Sequence, residues 1–268
     1  MVTTQLGIYF YQKKAYIFIN ETSLLTVMLY IIGIGLNDEK DITLKGLEAI
    51  KKCDFIYLEH YTSKLNCDIA SLEKLYGKKI ILADRALVEN SEEIIKNAEK
   101  KNVAFLVIGD ALSATTHVNL ILEAKKKNIK FEIINNASVL TAVGITGLQL
   151  YNFGKTTSIP FKNENITAPV EVLEQNQKQG MHTLMLLDLD VKNNKFMTVN
   201  EAIDYLLKNK VDKKTKAIAC CALGSDNAVI KYGLLENLEK MKFSKFPQCL
   251  IIPGKMHFLE EEMLEIYK

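Results

Sequence analysis

Residues 107–124 read VIGDALSATTHVNLILEA, in which an apolar run ends at a Gly-Asp pair and a helical pattern begins shortly afterwards. The run VAFLVIG (residues 103–109) has the length and composition of a buried strand, and HVNLILEAKKK (residues 117–127) carries apolar residues three and four apart. Strands that alternate with helices in this way form parallel sheets covered by helices. This stretch therefore predicts an α/β fold.

Asp110 stands at the point where this strand ends. In an open parallel sheet, ligands bind beyond the carboxyl ends of the strands. Gly109 allows the chain to turn there, and the Asp110 carboxylate can accept hydrogen bonds from hydroxyl or amino groups of a ligand. The alternative is a local role, in which Asp110 caps the turn and Thr115 or Thr116 caps the following helix.

A second polar loop, NNASV (residues 135–139), also follows a strand pattern. It leads into ASVLTAVGITGLQL (residues 137–150), for which we predict a helix that contributes to the core and to a dimer contact. Two polar loops beside each other form a polar mouth over an apolar floor. We interpret this arrangement as a site for an adenosine-containing ligand.

Strand and helix patterns alternate along the chain from Met28. We predict two α/β domains, 28–150 and 151–268, which pack closely and share a cleft, because no long linker separates them. Residues 1–27 lack this pattern, and we interpret them as an N-terminal extension, either an artefact of an upstream start or a foreign hairpin. The strand-like runs are MLYIIGIG, DFIYLEHY, KKIILA, VAFLVIG, TTSIPF, MHTLMLLDLD, KAIACCALG and CLIIPG, and the helical ones are TLKGLEAIKK, SEEIIKNAEKK, HVNLILEAKKK, APVEVLEQNQKQ, TVNEAIDYLLKNK and GLLENLEKM.

The composition disfavours several classes of protein. A formal net charge of +2 over 268 residues provides no strong field for nucleic acid or an anionic membrane. Arg85 is the only Arg among 34 basic residues, so a site with several Arg forks for phosphate is excluded. Five cysteines without a CxxC motif predict reduced core thiols in a cytoplasmic protein, and they indicate neither a metal site nor a disulfide framework.

The Gly pair in YIIGIGLND (residues 30–38) follows a strand. Gly33 and Gly35 occupy the place of a dinucleotide-binding turn, but Asp38 replaces the third Gly of the GxGxxG pattern. Since Asp38 would bring negative charge beside a pyrophosphate, the sequence disfavours NAD and FAD. A tight turn without a ligand is the alternative.

Longer stretches from Met28 to Lys268 carry a resemblance to a known family. They are YIIGIGLNDEKDITLKGLEAIKKCD, IYLEHYTS, LADR, FLVIGDALSATTH, NNASVLTAVGITGLQLYNFGKTTSIPF, GMHTLMLLDLDV, KFMTVNEA and LIIPGKMHFLE. In this order they resemble the diphthine synthase family of methyltransferases, which is of the tetrapyrrole-methylase type. The resemblance implies a two-domain α/β fold with S-adenosylmethionine in the cleft between the domains, and a homodimer. It also implies repeated methylation of the amino group of a 3-amino-3-carboxypropyl-histidine on translation elongation factor 2.

The resemblance also implies the residues of the cofactor site, by their places in the family motifs. Three residues depart from the family pattern: Gln248 stands where His is usual, Ala111 where Pro follows the Gly-Asp pair, and Ser113 where Gly or an aliphatic residue is common. The implied cofactor-binding residues are Leu36, Asp110, Ser113, Ser138, Val139, Leu187, Leu223 and Gln248.

The catalytic residues are not assigned by the sequence. Methyl transfer from a sulfonium to an amine is an in-line displacement, so the enzyme must chiefly align donor and acceptor. The ammonium must lose a proton before each attack, but a lone His such as His117 or His182 is more often structural. Candidate cations for the acceptor's carboxylate are Lys155, Lys255 and Arg85, and candidate hydroxyls at the cleft are those of Tyr61, Thr62 and Ser63.

Two other functions stay open. An enzyme of the same fold could methylate a tetrapyrrole or an rRNA ribose, although a ribose methylase should show a basic face. A module that binds an adenosine ligand without turnover is the third interpretation, which the departures at Ala111 and Gln248 keep open. The number of methyl groups transferred, three or four, is also open.

Overall fold

A computed structural model describes residues 27–113 and 117–268 of the chain. The extension predicted for residues 1–27, apart from Val27, and the predicted cap positions Thr115 and Thr116 lie outside the described residues. Within them, the chain forms two five-stranded sheets and one small hairpin.

The first sheet is parallel throughout, as the sequence predicts. Its strands are β1 (Met28–Gly33), β2 (Phe55–Glu59), β3 (Ile81–Ala83), β4 (Val103–Val107) and β5 (Lys130–Ile134), in the order β3-β2-β4-β1-β5. Because every strand runs in the same direction, the carboxyl ends of all five lie at one edge of the sheet.

Helices cover both faces of the first sheet. Along β1, Leu29 and Ile31 belong to one apolar cluster, whereas Ile32 and Ile34 belong to another on the opposite face. Such burial on both faces explains why these strands read as continuous apolar runs. The helices of this part of the chain are α1 (Leu44–Lys51), α2 (Ile69–Tyr76), α3 (Arg85–Asn90), α4 (Glu92–Ala98) and α5 (Val118–Lys126).

The second sheet differs from its prediction, because only one of its four strand pairs is parallel and the other three are antiparallel. The physical reason is clearest at residues 216–234, where a short loop joins two successive strands and permits only a hairpin. Its strands are β6 (Thr157–Ile159), β7 (Thr183–Leu187), β10 (Lys216–Cys221), β11 (Val229–Leu234) and β12 (Gln248–Ile252), in the order β11-β10-β12-β7-β6; β8 (Leu189–Asp190) and β9 (Lys195–Phe196) form the separate hairpin.

The remaining helices are shorter than predicted in two places. The helix predicted over GLLENLEKM is limited to four residues because Gly233 and Leu234 belong to β11. The helix predicted for residues 137–150 breaks after four residues into a 3₁₀ turn that ends at Gly147, whose φ is +86°. These helices are α6 (Val139–Ala142), α7 (Ala168–Lys178), α8 (Val199–Lys208), α9 (Leu235–Leu238) and α10 (Phe258–Glu265).

The segment after α6 packs in the core, as predicted. Val143 and Leu148 are buried against residues of the second sheet, including Ile218 and Ile251. These contacts group the segment with the second sheet, whereas the domain division at residue 150 stays a prediction. No helix in the described part of the chain is long and apolar enough to cross a membrane.

Within the loop that follows β1, Gly35 lies so close to Asp41 that we expect it to tolerate no side chain. Gly35 has a φ of +85°, and a Cβ built there would lie 2.2 Å from the Cβ of Asp41. Gly77 also has a positive φ, +68°, but a Cβ there meets no described atom within 4 Å. We expect Gly77→Ala to lower the free energy of unfolding by about 1 kcal/mol, from backbone strain alone. Gly35→Ala should lower it by roughly 2 kcal/mol or more, because steric overlap adds to the strain.

Urea unfolding of the two variants measures this difference. Equal losses for both variants would contradict the prediction, since they would show that the loop around Asp41 moves aside without cost.

Candidate functional site

A cavity of about 850 Å³ lies beyond the carboxyl ends of the strands of the first sheet. Its other side is formed by residues of β7, β10 and β12, so both sheets contribute to it.

All eight residues that the resemblance implies line this cavity: Leu36, Asp110, Ser113, Ser138, Val139, Leu187, Leu223 and Gln248. Thr62 and Ser63 line it as well, whereas Tyr61 and the candidate cations Arg85, Lys155 and Lys255 do not. The tertiary structure therefore brings the predicted residues together, and their binding of a cofactor stays a prediction.

Several lining residues were not predicted from the sequence. Cys220 and Cys249 were expected only as core thiols; they are free and buried, and they also line the cavity. Both stand in strands of the second sheet, whose pairing the sequence pattern did not predict, so no local signal identifies them. The other lining residues are Ile108, Gly109, Leu186, Leu189 and Pro247.

Glycines let two loops of the site touch through their backbones. The amide of Gly35 donates to the carbonyl of Gly109 at 3.1 Å, and the amide of Gly109 donates back to Gly35 at 2.7 Å. A Cβ at Gly33 would lie 2.7 Å from the Gly109 carbonyl oxygen. The Gly pair thus serves a tight turn in which the loops after β1 and β4 approach closely.

Asp110 uses its carboxylate within the protein. Oδ1 accepts hydrogen bonds from the amides of Leu112 and Ser113, both at 3.1 Å, and from the Ser113 hydroxyl at 2.8 Å. Oδ2 accepts from the Asn135 side chain and the Asn136 amide, both at 3.0 Å. A carboxylate offers about four lone-pair positions, so five protein donors occupy its capacity. Asp110 thus holds the loops around the cavity, and its contact with a ligand stays a prediction.

The charge of Asp110 is stabilised by these donors. Burial opposes ionisation, but the hydrogen bonds from Asn136, Ser113, Asn135 and Leu112 outweigh it and lower the pKa of Asp110 to about 2. The side chain is therefore an anion at neutral pH and does not exchange protons there.

The loop after Asp110 is held without the proline of the family pattern. Ala111 is fully buried, and the residues that follow it are fixed by the bonds from Leu112 and Ser113 to Asp110. Ser113, which also departs from the family pattern, adds to this constraint because its hydroxyl donates a further hydrogen bond to Asp110. Hydrogen bonds thus supply the constraint that a proline ring would supply through its fixed φ.

Asn136 connects the same network to the loop after β1. Its side-chain amide donates to the carbonyl of Gly33 at 3.0 Å and to that of Asp41 at 2.9 Å. The Asp41 carboxylate in turn accepts from the amides of Leu36 and Asn37. Leu36 is therefore placed at the cavity by a chain of polar contacts that begins at Asp110.

Gln248 uses its side-chain amide for hydrogen bonds within the protein. Oε1 accepts from the Val199 amide at 2.7 Å, and Nε2 donates to the carbonyls of Phe243 and Lys245. These bonds join the start of α8 to the loop before β12. Gln248 therefore lines the cavity while its amide serves the protein scaffold.

Glu59 was not predicted from the sequence, and it holds the loop that contributes Thr62 to the cavity. It is fully buried at the end of β2, and it accepts hydrogen bonds from the amides of Tyr61 and Thr62 and from the Thr62 hydroxyl. Burial raises the pKa of Glu59 despite these bonds. An acidic residue at the end of an apolar strand, as in FIYLEHYTS, is the sequence signal that could have found it.

Neither candidate histidine lines the cavity. His182 is buried, with Nε2 3.0 Å from a Glu260 oxygen and Nδ1 accepting from the Gly254 amide, so it joins β7 to α10. His117 packs edge-on against Phe105, and burial lowers its pKa to about 4. Both contacts support the structural roles expected for lone histidines.

The free hydrogen-bonding capacity of the cavity comes from hydroxyls. Ser113 and Thr62 donate to carboxylates and keep lone pairs that can accept from a ligand. Ser138 accepts from the Leu140 amide at the start of α6 and keeps its proton to donate. Together with the apolar side chains around them, these groups form the polar mouth and apolar floor that the sequence predicts.

The chain is similar to known proteins along most of its length. The family model described as Tetrapyrrole (Corrin/Porphyrin) Methylases matches residues 28–239. A diphthine methyl ester synthase of Dictyostelium discoideum is 43% identical over 270 residues, which cover 90% of this chain and 98% of the relative. A diphthine synthase of Methanocaldococcus jannaschii is 45% identical over 251 residues, which cover 89% and 98%. A crystal structure of diphthine synthase superposes with a TM-score of 0.85 at 38% identity, covering 90% of this chain and 95% of that one.

The hydrogen bonds of Asp110 predict a pH-dependent contribution to stability. Its pKa in the folded protein, about 2, lies below its ordinary value of 3.8. The stabilisation is therefore present above pH 4 and is lost as the pH falls through about 2. We expect Asp110→Asn to lower the free energy of unfolding by about 2 kcal/mol at pH 7.

Urea unfolding between pH 7 and pH 3 tests this prediction, with the exposed Asp226→Asn as the control. The deficit of Asp110→Asn should shrink below pH 4, while the control should match the unmodified protein throughout. A deficit that stays constant down to pH 3 would show that the charge of Asp110 contributes nothing.

Proposed function

Given that this chain belongs to the diphthine synthase family of tetrapyrrole methylases, and is a methyltransferase of diphthamide biosynthesis, we propose a specific acceptor. The acceptor is the 3-amino-3-carboxypropyl-histidine of translation elongation factor 2, whose amino group is methylated repeatedly to form diphthine. The observation that carries the proposal is the meeting of all eight residues implied by the family motifs in one cavity.

We propose this cavity as the site of S-adenosylmethionine. Its hydroxyls suit a nucleoside with an amino-acid chain, and apolar side chains such as Leu187 and Leu223 suit a purine ring. When bound, the donor supplies an electrophilic methyl group on a sulfonium sulfur. The protein's own task is to hold donor and acceptor in line and to exclude competing water.

The residues of the cavity provide no general base. Of the described residues that line it, only Asp110, Cys220 and Cys249 have acidic or thiol side chains. Asp110 is fully hydrogen-bonded with a depressed pKa, and the Cys220 thiol is fully buried with its pKa raised by its bond to Cys249 and by burial. We therefore propose that water takes the proton that the ammonium loses before each attack.

The acceptor also suggests where the enzyme works. Elongation factor 2 acts in translation, so we propose the cytoplasm as the location. A net charge of +2 offers no strong field for direct binding of nucleic acid, which favours a protein acceptor over rRNA.

The experiment that tests the proposed function is mass spectrometry of the acceptor. Elongation factor 2 carrying the 3-amino-3-carboxypropyl-histidine is incubated with the protein and S-adenosylmethionine. We expect mass gains in steps of one methyl group on that residue, and their number distinguishes three methyl groups from four. No gain with donor binding intact would indicate another acceptor, and no gain without donor binding would contradict the proposals for both donor and acceptor.

A matched pair of variants tests whether the methyl donor binds in the cavity. Val139→Trp fills part of the cavity, whereas Val118→Trp places the same ring on an exposed position of α5. We expect Val139→Trp to weaken donor binding in calorimetry about tenfold or more and to slow transfer, with Val118→Trp unchanged. Unchanged binding in Val139→Trp would place the donor elsewhere.

We also propose that the homodimer forms through an apolar patch. The segment 145–151 and the C-terminal helix α10 lie together, because the Gln149 amide donates to Glu260 and the Tyr267 hydroxyl donates to the Ile145 carbonyl. Large apolar patches at a surface mark interfaces. The exposed apolar side chains of this patch are Ile145, Leu150, Tyr151, Phe258, Leu259 and Ile266.

Sedimentation of charged variants tests the dimer. In the patch, the Tyr151 side chain is 78% exposed. The control position is Leu44 on α1, which is 80% exposed and lies far from the patch in the sequence. We expect the unmodified protein and Leu44→Glu to sediment as dimers, and Tyr151→Glu combined with Ile266→Glu as a monomer. A dimer that survives the double substitution would exclude this patch as the interface.

A further inference from the structure

A second cavity, of about 570 Å³, lies directly beside the first. The two cavities share Ser63 and Ile108 in their walls. The second is bounded by the chain that follows β2 and by the β8–β9 hairpin, which contributes Val191, Asn194 and Phe196. Because Asn194 is exposed, the cavity reaches the surface of the protein.

Lys64 is the one lysine among the described residues that line this second cavity. It is half-buried, and its Nζ lies 4.6 Å from the centre of the Phe196 ring. Within the described part of the chain, no carboxylate lies within ion-pair distance of it, although lysines such as Lys79 and Lys126 have such partners. An aromatic face stabilises an ammonium only weakly in comparison with an anion.

The remaining lining favours an anion in the same place. None of the described lining residues is acidic, so no carboxylate of the cavity itself competes for Lys64. Most of the other lining residues are apolar, among them Leu58 and Val191. The cavity therefore offers one half-buried ammonium, apolar walls and an open mouth, which suits a short aliphatic chain that ends in a carboxylate.

We propose that this second cavity is the acceptor subsite, in which Lys64 binds the carboxylate of an amino-acid-like group presented by a protein. The inference rests on the proposed function, since the aminocarboxypropyl group of that acceptor carries both an amine and a carboxylate. The wall shared at Ser63 and Ile108 then brings the amine next to the cavity that we assign to the methyl donor.

The loop that carries Lys64 is suited to this positioning role. The buried Glu59 fixes Tyr61 and Thr62 through three hydrogen bonds, so the chain leading to Ser63 and Lys64 starts from a rigid point. The same loop therefore borders both cavities, and it couples the place of the acceptor's carboxylate to the place of its amine.

Steady-state methyl transfer to elongation factor 2, with S-adenosylmethionine as donor, tests the subsite. Lys64→Met keeps an unbranched side chain and removes the charge. We expect it to lower kcat/KM for the acceptor about tenfold, chiefly through KM, while the calorimetric Kd of S-adenosylmethionine stays unchanged. Lys64→Arg should recover most of the loss, because it restores a cation.

Two further variants separate the subsite from general effects. Lys74→Met removes an exposed lysine from α2 and should leave both constants unchanged, which controls for long-range attraction. Val191→Trp narrows the second cavity and should raise the acceptor KM with the donor Kd unchanged.

The outcomes distinguish this inference from the proposed function. An unchanged acceptor KM in Lys64→Met, with transfer by the unmodified protein intact, overturns the subsite alone. A loss of donor affinity in Lys64→Met equal to the loss of kcat/KM overturns it as well, because Lys64 would then serve the donor. Absence of transfer by the unmodified protein overturns both.

Discussion

The hydrogen bonds that converge on Asp110 hold three loops of the first sheet together. Its carboxylate accepts from the loop that follows β4 and from Asn135 and Asn136 after β5, while Asn136 reaches the Gly33 carbonyl after β1. The donors are only partly buried, and a single carboxylate accepts all of these hydrogen bonds. The loops that line the cavity are therefore held to one another at Asp110.

Polar side chains do similar work on the opposite side of the cavity. Gln248 joins the start of α8 to the chain before β12, and His182 with Glu260 joins β7 to α10. The charged and amide groups near the cavity are thus engaged with the protein, which leaves hydroxyls for a ligand. A site of this kind orients its ligands with little reorganisation, which is the main requirement for an in-line displacement between two bound molecules.

The two adjoining cavities differ in charge, and this difference suits two ligands of different chemistry. The first is lined by hydroxyls, apolar side chains and the Asp110 anion, whose charge is stabilised by hydrogen bonds from the protein. The second contains Lys64 beside an aromatic ring and has no acidic residue among its described lining. A cationic sulfonium and an acceptor with a carboxylate would therefore each meet an environment that does not repel them.

The sequence by itself determined the elements whose signals are local. The period of the apolar residues predicted the parallel first sheet, and the family motifs predicted the eight residues that the structure gathers in one cavity. Pairing in the second sheet was decided by the tertiary structure, because the same apolar runs suit parallel and antiparallel neighbours and only the connections choose between them. The hydrogen bonds of Asp110 within the protein were decided there too, because they come from donors such as Asn136 that lie far away in the chain. Burial and contact between distant residues settle such choices, and no local pattern contains them.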